Sequence, residues 1–501
     1  MQKNILEYLE ATAPRLPQKV AYSDGTYDMT FDTLLRESRA IGSALLKRGV
    51  CREPIAILMA KHPREIAAFY GVVYAGAFYV PLDSEMPASR MELILASVNA
   101  RVMIVDEKGA KLAQKLSFDG EVLPYDTLVS QKTDGEALLR VREQQIDTDP
   151  IYIVFTSGST GIPKGVVACH RSVIDYTEAL CSALGFSEDT VFANQTPLFF
   201  DAPLKELMPV IKFGATAYLV PKKHFLFPMS LCDFLNTHKI NTVCWVVSAL
   251  TMISSMGVLE KNPPKYLSTV AFGSEVFPRR QYDLWRAALP QARFFNLYGP
   301  TEATGMSTYW AARELEPDEP IPVGRPFQNT DLFLVKEDGT RAGAGELGEI
   351  YLRGTCVTMG YYNNPARTAE AFVQNPLQNA YPEIVYRTGD LGYYNAQGEL
   401  VFVSRRDAQI KHMGHRIELG EIEAAATKCD AVSRACCLYD QNAQKILLYY
   451  TGDVTPEALT TFLKGYLPRY MMPAACEHLE RMPLTPNGKL DRRALAARNQ
   501  G

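Results

Sequence analysis

The sequence predicts an α/β protein with parallel β-sheets and more than one domain. Apolar runs of strand length alternate with segments of helical periodicity, which is the pattern of βαβ units. The length of 501 residues exceeds the usual size of a single domain. With 47% hydrophobic and 22% charged residues, the chain can fill sizeable cores and resembles neither a membrane protein nor a disordered chain.

The clearest alternation lies near the N-terminus. The strand-like run PIAILMA at 54–60 precedes the helical PREIAAFYGVVYAG at 63–76, which leads into FYVPLD at 78–83. Two further strand-like runs are ARVMIVDE at 100–107 and TVCWVV at 242–247. We expect these strands to lie in parallel sheets.

The C-terminal part predicts a smaller unit of mixed structure. The segment 389–407 reads as short strands, with hairpin-turn residues at Asn395–Gly398. Residues 418–429 have helical character, and the last residues predict a loop and a short helix. We place a domain boundary near Asp407, which gives domains of residues 1–406 and 407–501.

Charge and cysteine content exclude several classes of function. The formal net charge is −4 and no long basic run occurs, which argues against a nucleic-acid partner. The N-terminus is charged and the apolar runs are too short to span a bilayer, so we expect a cytoplasmic protein without a membrane partner. The ten cysteines are scattered without a CxxC pair, which predicts reduced thiols and no zinc site.

The strongest local motif is TSGSTGIPKG at 156–165, directly after the strand-like IYIVF. Glycines and hydroxyls allow backbone N–H groups to approach phosphate oxygens, and Lys164 adds positive charge. The spacing differs from the P-loop GxxxxGK[ST]. By composition alone a flexible surface loop would be the better interpretation, but the motifs downstream argue against it.

Two such motifs supply the groups that a nucleotide requires. NLYGPTEATG at 296–305 contains an aromatic ring, a hydroxyl and a carboxylate, and YRTGDLG at 386–392 adds Asp390 in a turn. Residues of these types can stack on a base, bind phosphate, hold Mg²⁺ and chelate a ribose diol.

These motifs, with RRDAQIKHMGHRIELGEIE at 405–423 and PLTPNGKL at 483–490, occur in an order that resembles the adenylate-forming superfamily. The resemblance is specifically to nonribosomal peptide synthetase adenylation domains and to D-alanine:carrier-protein ligases. It covers nearly the whole chain. It implies a large N-terminal domain of packed sheets and helices, with a small mobile α+β C-terminal domain hinged at Asp407.

The resemblance also implies which residues hold ATP and Mg²⁺. Thr301 would contact the α-phosphate, Glu302 would hold Mg²⁺, Tyr298 would stack on adenine, and Asp390 would bind the ribose with Arg405 beside the nucleotide. The other implied nucleotide contacts are Thr156, Ser157, Gly158 and Lys164 of the phosphate loop, and Gly273, Ser274, Glu275, Asn296 and Gly299 around the base.

Lys489 matches the catalytic lysine of the family. An ammonium and Mg²⁺ would offset the repulsion between an attacking carboxylate and a phosphate. Sequence position alone favours a solvated lysine near a tail, and the motif match reverses that preference. No residue can be assigned as a base for transfer to a thiol.

Asp201 would pair with the α-ammonium of an amino acid, although it could also cap the helix that follows. The remaining pocket residues implied by motif alignment are Ala202, Lys205, Trp245, Val270, Phe272, Leu297, Gly305 and Met306. A mostly apolar pocket narrowed by two aromatic rings predicts a small or medium aliphatic side chain. Lys205 is unusual there and would either meet an acidic or polar group or extend to solvent.

The expected reaction is therefore ATP-dependent formation of an aminoacyl adenylate, followed by transfer to the phosphopantetheine thiol of a carrier protein. No segment resembles a carrier, so we expect the carrier to act in trans. One alternative is an acyl-CoA synthetase, against which Asp201 argues. Another is a nucleotide-binding scaffold without catalysis, against which the retained motif residues argue.

Overall fold

The computed structural model describes residues 2–158, 162–406, 409–441, 443–483 and 492–498. In chain order the strands are β1 (Val20–Ser23), β2 (Asp28–Thr30), β3 (Pro54–Leu58), β4 (Phe78–Pro81), β5 (Val102–Val105), β6 (Glu121–Pro124), β7 (Pro150–Thr156), β8 (Lys164–Cys169), β9 (Val191–Asn194), β10 (Thr216–Leu219), β11 (Thr242–Val246), β12 (Thr269–Gly273), β13 (Arg293–Tyr298), β14 (Thr308–Ala311), β15 (Arg325–Pro326), β16 (Thr330–Val335), β17 (Gly348–Gly354), β18 (Phe372–Gln374), β19 (Ile384–Tyr394), β20 (Leu400–Arg405), β21 (Gln409–His412), β22 (His415–Glu418), β23 (Val432–Asp440), β24 (Lys445–Gly452) and β25 (Ala475–His478).

The α-helices of the same residues are α1 (Leu6–Thr12), α2 (Phe31–Leu46), α3 (Pro63–Tyr74), α4 (Ala88–Val98), α5 (Glu107–Ala113), α6 (Tyr125–Val129), α7 (Gly135–Gln144), α8 (His170–Leu184), α9 (Leu204–Pro209), α10 (Lys222–Phe225), α11 (Pro228–Thr237), α12 (Val247–Ser255), α13 (Val258–Lys261), α14 (Arg279–Ala288), α15 (Pro365–Ala371), α16 (Leu419–Ala426), α17 (Pro456–Leu463) and α18 (Arg492–Arg498). A π-helix spans Val210–Gly214, and 3₁₀ turns span Thr301–Ala303 and Arg469–Met471.

Two large sheets form the centre of the molecule. One has nine strands in the order β15-β14-β13-β12-β11-β9-β10-β1-β2, and the other has six in the order β6-β5-β3-β4-β7-β8. Strands β9 to β13 and β3 to β7 pair in parallel where they are neighbours. The expected α/β class, and each strand and helix predicted in the first 247 residues, are therefore confirmed.

The nine-stranded sheet carries a separate apolar core on each face. One core is shared with the six-stranded sheet and contains Tyr176, Cys244, Ala271 and Leu297. The other lies on the opposite face and contains Trp245, Val270 and Phe272. Strands buried on both faces are apolar along their whole length, which explains why β11 and β12 show little alternation of polar and apolar residues.

The C-terminal part has its own elements and its own core. A five-stranded sheet is formed by β16 to β20, and the turn between β19 and β20 is closed at Asn395–Gly398 as expected. Beyond it lie the β21–β22 hairpin, α16 and the three-stranded sheet β23-β24-β25. One apolar cluster, including Ile417, Leu448 and Leu463, joins α16, α17 and this sheet. The position of the boundary at Asp407 remains a prediction, because that residue lies outside the described residues.

Two further expectations concern thiols and membranes. All ten cysteines are free, which confirms that no disulfide framework supports the fold. Within the described ranges, no helix combines the length and the apolar character needed to cross a bilayer.

Helices α2 and α3 pack closely because each has a glycine at the contact. A Cβ on Gly71 would lie 2.5 Å from Cγ2 of Ile41, and a Cβ on Gly42 would lie 2.6 Å from Cβ of Tyr74. Gly71→Ala should therefore force the helices apart and lower the stability by about 1–3 kcal/mol. Thermal melting of the two proteins measures the loss.

Gly135→Ala is the matched control. This glycine also begins in a helix, α7, but an added Cβ would meet nothing within 4 Å. The control should melt at the wild-type temperature or slightly above it, because alanine is the better helix former. Equal melting of the Gly71 and Gly135 variants would contradict the close helix contact.

Candidate active site

Glu302 is a fully buried carboxylate in the 3₁₀ turn after β13. Its Oε2 accepts a hydrogen bond from Nη1 of Arg416 at 2.7 Å, and its Oε1 accepts one from the Tyr361 hydroxyl at 2.7 Å. Burial raises the pKa of Glu302, but Arg416, Lys164 and the Tyr361 bond outweigh burial and lower it to about 2. The carboxylate is therefore charged, and it is kept charged by cations.

Asp390 and Tyr298 meet beside this carboxylate. The Tyr298 hydroxyl donates to Oδ2 of Asp390, and Arg405 donates to Oδ1. Nζ of Lys411 lies 5.4 Å from the centroid of the Tyr298 ring. The residues predicted to bind base and ribose thus lie together, and one face of the Tyr298 ring is covered by a lysine from the C-terminal part.

The described part of the phosphate loop is bonded to the same C-terminal segment. The Ser157 hydroxyl donates to the Arg416 carbonyl at 2.8 Å and accepts from the Glu418 N–H at 3.2 Å. The Gly158 N–H donates to Oε2 of Glu421 at 3.2 Å. Lys164 lies 3.8 Å from Glu418, and Thr156 is the buried last residue of β7.

The other residues predicted around the base lie at the ends of β12 and β13. Glu275 accepts hydrogen bonds from the Ser248 N–H and the Gly414 N–H, both at 2.8 Å, so it joins α12 to the tip of the β21–β22 hairpin. The Asn296 amide donates to the Pro322 carbonyl at 2.8 Å. Ser274 adopts a left-handed backbone with φ of 69°, and Gly273 and Gly299 lie against backbone that leaves no room for a Cβ.

The β21–β22 hairpin supplies the cations that the sequence interpretation missed. Lys411 pairs with Arg416 across the two strands, so both side chains lie on one face of the hairpin. That face meets Tyr298 and Glu302. Both cations fall within the quoted motif at 405–423, whereas Tyr361 has no motif that would have revealed it. Asp407 and Lys489 lie outside the described residues.

Asp201 lies in the loop before α9 and close to Thr301. Burial raises the pKa of Asp201, while a hydrogen bond from Thr301 and the charge of Lys205 lower it in part. Helix α9 begins at Leu204 without a side-chain cap, so the alternative role of Asp201 as a helix cap is wrong. The shared Thr301 places Asp201 next to the Glu302 turn.

The structure brings only some of the predicted pocket residues to Asp201. Leu297 and Met306 are buried in the core on its side of the nine-stranded sheet, and Gly305 faces it, since a Cβ there would lie 3.7 Å from Oδ2 of Asp201. Ala202, directly after Asp201, is half-buried, and Lys205 is buried with 4% exposure. The interpretation that Lys205 extends into solvent is therefore wrong.

The structure places Trp245, Val270 and Phe272 on the opposite face of that sheet, in the core with Trp285 and Tyr282. Side chains alternate between faces along a strand, so the preceding or following residue faces Asp201 instead. Cys244 pairs laterally with Ala271, and Val246 with Gly273, which pairs with Leu297. Cys244, Ala271 and Gly273 are the wall residues on the Asp201 side, and the two aromatic rings do not narrow the pocket.

No cluster of three metal-binding side chains occurs among the residues that the structure describes. Mg²⁺ suits such a site when phosphate shares its coordination, because it is commonly held by one or two carboxylates together with substrate phosphates. The single charged carboxylate of Glu302 fits that chemistry. In the present arrangement Arg416 and Tyr361 occupy both of its oxygens.

Replacing Arg416 should have an effect that depends on pH. The folded pKa of Glu302, about 2, lies below the ordinary value of 4.5, so this group stabilises the fold above pH 4.5 and loses that effect as the pH falls toward 2. In Arg416→Met the buried carboxylate loses its main partner, which should cost about 3–5 kcal/mol at pH 7. The cost should shrink toward pH 4, because a protonated Glu302 needs no cation.

Urea unfolding of wild type and variant at pH 7 and pH 4 measures this difference. Arg367→Met is the control, because Arg367 lines the same 610 Å³ cavity but pairs with the exposed Glu370. Its cost should stay below about 1 kcal/mol at both values of pH. A cost of the Arg416 replacement that is the same at pH 7 and pH 4 would contradict the pairing.

Comparison with known proteins agrees with this geometry. Tyrocidine synthase 1 of Brevibacillus parabrevis is 30% identical over 500 residues, which cover 98% of this chain and 45% of that protein. Zwittermicin A synthase ZmaJ of Bacillus cereus is 29% identical over 508 residues, covering 99% of this chain and 95% of that protein. The chain spans as little as 6% of the largest synthases that it matches.

The fold also matches solved structures. Holo-PA1221, an NRPS protein containing adenylation and PCP domains bound to a vinylsulfonamide inhibitor, aligns with a TM-score of 0.84 and 23% identity, over 99% of this chain and 84% of that chain. The family model "AMP-binding enzyme" matches residues 9–362. The expected AMP-forming ligase class is thereby confirmed at the level of the family, and the chain belongs to the AMP-binding enzymes.

Proposed function

We propose that the chain uses ATP and Mg²⁺ to convert an amino acid into an aminoacyl adenylate, and then transfers the aminoacyl group to the phosphopantetheine thiol of a separate carrier protein. In the first step a carboxylate oxygen of the amino acid attacks the α-phosphorus of ATP and pyrophosphate leaves. In the second step the thiol sulfur attacks the aminoacyl carbonyl, the thiol proton is lost, and AMP leaves.

The observation that carries this proposal is the adjacency of two buried carboxylates with different environments. Glu302 is held charged by cations, while Asp201 lies in an apolar core and contacts the same 3₁₀ turn through Thr301. An anionic carboxylate beside Lys164 suits a metal-bound polyphosphate. A second, buried carboxylate a short distance away suits an ammonium group. Together they favour an amino acid over an acid that lacks the ammonium.

In the adenylation step Glu302 would hold Mg²⁺, which would neutralise the phosphates. Thr301 would contact the α-phosphate, and Tyr298 and Asp390 would bind the base and the ribose. Lys489 would stabilise the negative charge that develops between carboxylate and phosphate. These roles require Arg416 to leave Glu302, since one pair of oxygens cannot hold both the guanidinium and the metal.

That requirement supports a mobile C-terminal domain of residues 407–501. In the structure described here the β21–β22 hairpin, not Lys489, is next to Glu302. Withdrawal of the hairpin would free Glu302 and uncover the Tyr298 ring for adenine. Its return after adenylation would leave the adenylate facing a different set of C-terminal residues for the transfer to the thiol.

The pocket walls favour a small or medium aliphatic stem in the substrate side chain. Ala271, Leu297 and Met306 on the Asp201 side are apolar. With Trp245 and Phe272 on the other face of the sheet, the walls no longer limit the side chain to a short one.

ATP–pyrophosphate exchange with the proteinogenic amino acids, D-alanine and several non-amino carboxylic acids tests the proposal. One amino acid should support exchange strongly and the non-amino acids should not. In Lys489→Ala the exchange should fall by roughly 100-fold or more, because one charge that stabilises the transition state is lost. Transfer from a supplied aminoacyl adenylate to a carrier should fall far less.

Lys464→Ala is the control, because this lysine at the end of α17 is exposed. It should leave both half-reactions at the wild-type rate. Equal loss of both half-reactions in Lys489→Ala would contradict its role. Transfer to free coenzyme A as fast as to a pantetheinylated carrier would show that the acceptor is wrong.

A further inference from the structure

Lys205 is a buried ammonium without a partner. It is in the first turn of α9 and is 4% exposed. Within the described part of the chain its Nζ forms no hydrogen bond and has no carboxylate within ion-pairing distance. An unpaired buried charge is costly and rarely retained in a protein interior unless another group completes it.

The carboxylates near Lys205 are engaged elsewhere. Asp201, one helical turn earlier, receives a hydrogen bond from Thr301. Glu206 lies next along the helix, but its Oε2 accepts from the Asn194 amide at 3.3 Å, and the buried Lys61 adds a further charge beside it. Both carboxylates act on Lys205 only through their charge, not through contact.

Binding of an amino acid would remove one of these compensating charges. The substrate ammonium would pair with Asp201, and the negative charge of Asp201 would then no longer offset that of Lys205. The substrate α-carboxylate points toward the nucleotide and cannot serve both ends of the pocket. A second negative group on the substrate would restore the balance, because an ammonium paired with a carboxylate is far less costly to bury than one alone.

The walls leave room for such a group. Cys244 lies close enough to Lys205 for their charges to interact, and its lateral neighbour Ala271 is small. Gly273 and Gly305 have no side chains. The space between Asp201 and Lys205 is therefore bordered by small residues, with Lys205 as its charged group.

We propose that Lys205 determines specificity and that the substrate is an α-amino acid whose side chain ends in a carboxylate. The carboxylate would accept a charge-assisted hydrogen bond from the Lys205 ammonium while the aliphatic stem lies on Leu297 and Met306. This inference rests on the proposed amino-acid activation.

The experiment is ATP–pyrophosphate exchange with three matched sets of substrates. Aspartate and glutamate are compared with their amides, asparagine and glutamine, and with the apolar 2-aminobutyrate and norvaline. The wild-type enzyme should favour one of the two acids, by roughly 10- to 100-fold in kcat/KM over its amide and its apolar analogue, as expected for a hydrogen bond to a charged group.

Lys205→Met keeps the length of the side chain and removes its charge. It should lower kcat/KM for the acid by roughly 10- to 100-fold and leave the value for norvaline unchanged or raised. Asp201→Asn should lower kcat/KM for every amino acid alike, because all share the ammonium. Lys205→Gln retains a donor without the charge and should shift preference toward the amide. Thermal melting verifies that each variant is folded.

The outcomes separate the two proposals. Exchange that is strongest with an apolar or amide substrate in the wild type would overturn the role of Lys205 while leaving amino-acid activation intact. An equal loss with all substrates in Lys205→Met would do the same. If Lys205→Met fails to fold, the wild-type preference and Lys205→Gln still decide. Exchange with no amino acid at all would overturn the proposed function and this inference with it.

Discussion

The arrangement of the site depends on one constraint, which is that the buried carboxylate of Glu302 needs a cation. Burial alone would favour the protonated acid, yet Arg416 and Lys164 hold the pKa at about 2. Arg416 comes from a hairpin more than a hundred residues away in sequence. A carboxylate that must always be paired couples the C-terminal part to the core, because whatever replaces Arg416 must also be positive. A metal bound to polyphosphate meets that requirement.

The same logic applies at the other end of the site. Asp201 is buried with an incomplete set of partners, and Lys205 is buried one turn further along with none in contact. Neither arrangement improves the stability of the empty protein. Groups held in this way are typical of sites where a ligand supplies the missing charge. The nucleotide end and the amino-acid end are thus built on the same physical basis and joined through the Thr301–Ala303 turn.

Much of this could be predicted from the sequence. The alternation of apolar runs predicted the strands β3, β4, β5 and β11 with helix α3, and five ordered motifs indicated the family. The wall residues of the pocket were displaced by one position. Strand β12 is apolar on both faces, so TVAFG contains no alternation to show which side chains face Asp201. A shift of one residue along a strand exchanges its faces, and Val270 and Phe272 were therefore exchanged for Ala271 and Gly273.

Contacts across long sequence separations could not be predicted. The pairing of Arg416 with Glu302 depends on how the hairpin packs on the core, and no local pattern encodes it. The burial of Lys205 is of the same kind, because the sequence allows a lysine in the first turn of a short helix either to reach solvent or to be enclosed. Only the packing of α9 against the nine-stranded sheet decides between them.

The most direct test of the central claim, carboxylate attack on the α-phosphorus, follows an oxygen atom. The chain is incubated with ATP, Mg²⁺, hydroxylamine as the acyl acceptor, and the preferred amino acid labelled with ¹⁸O in its α-carboxylate, and the nucleotide product is analysed by mass spectrometry. We expect AMP that carries one ¹⁸O atom, because the oxygen that attacks the phosphorus stays with AMP when the acyl group leaves. Label in inorganic phosphate together with unlabelled ADP would contradict the account and indicate attack on the γ-phosphorus.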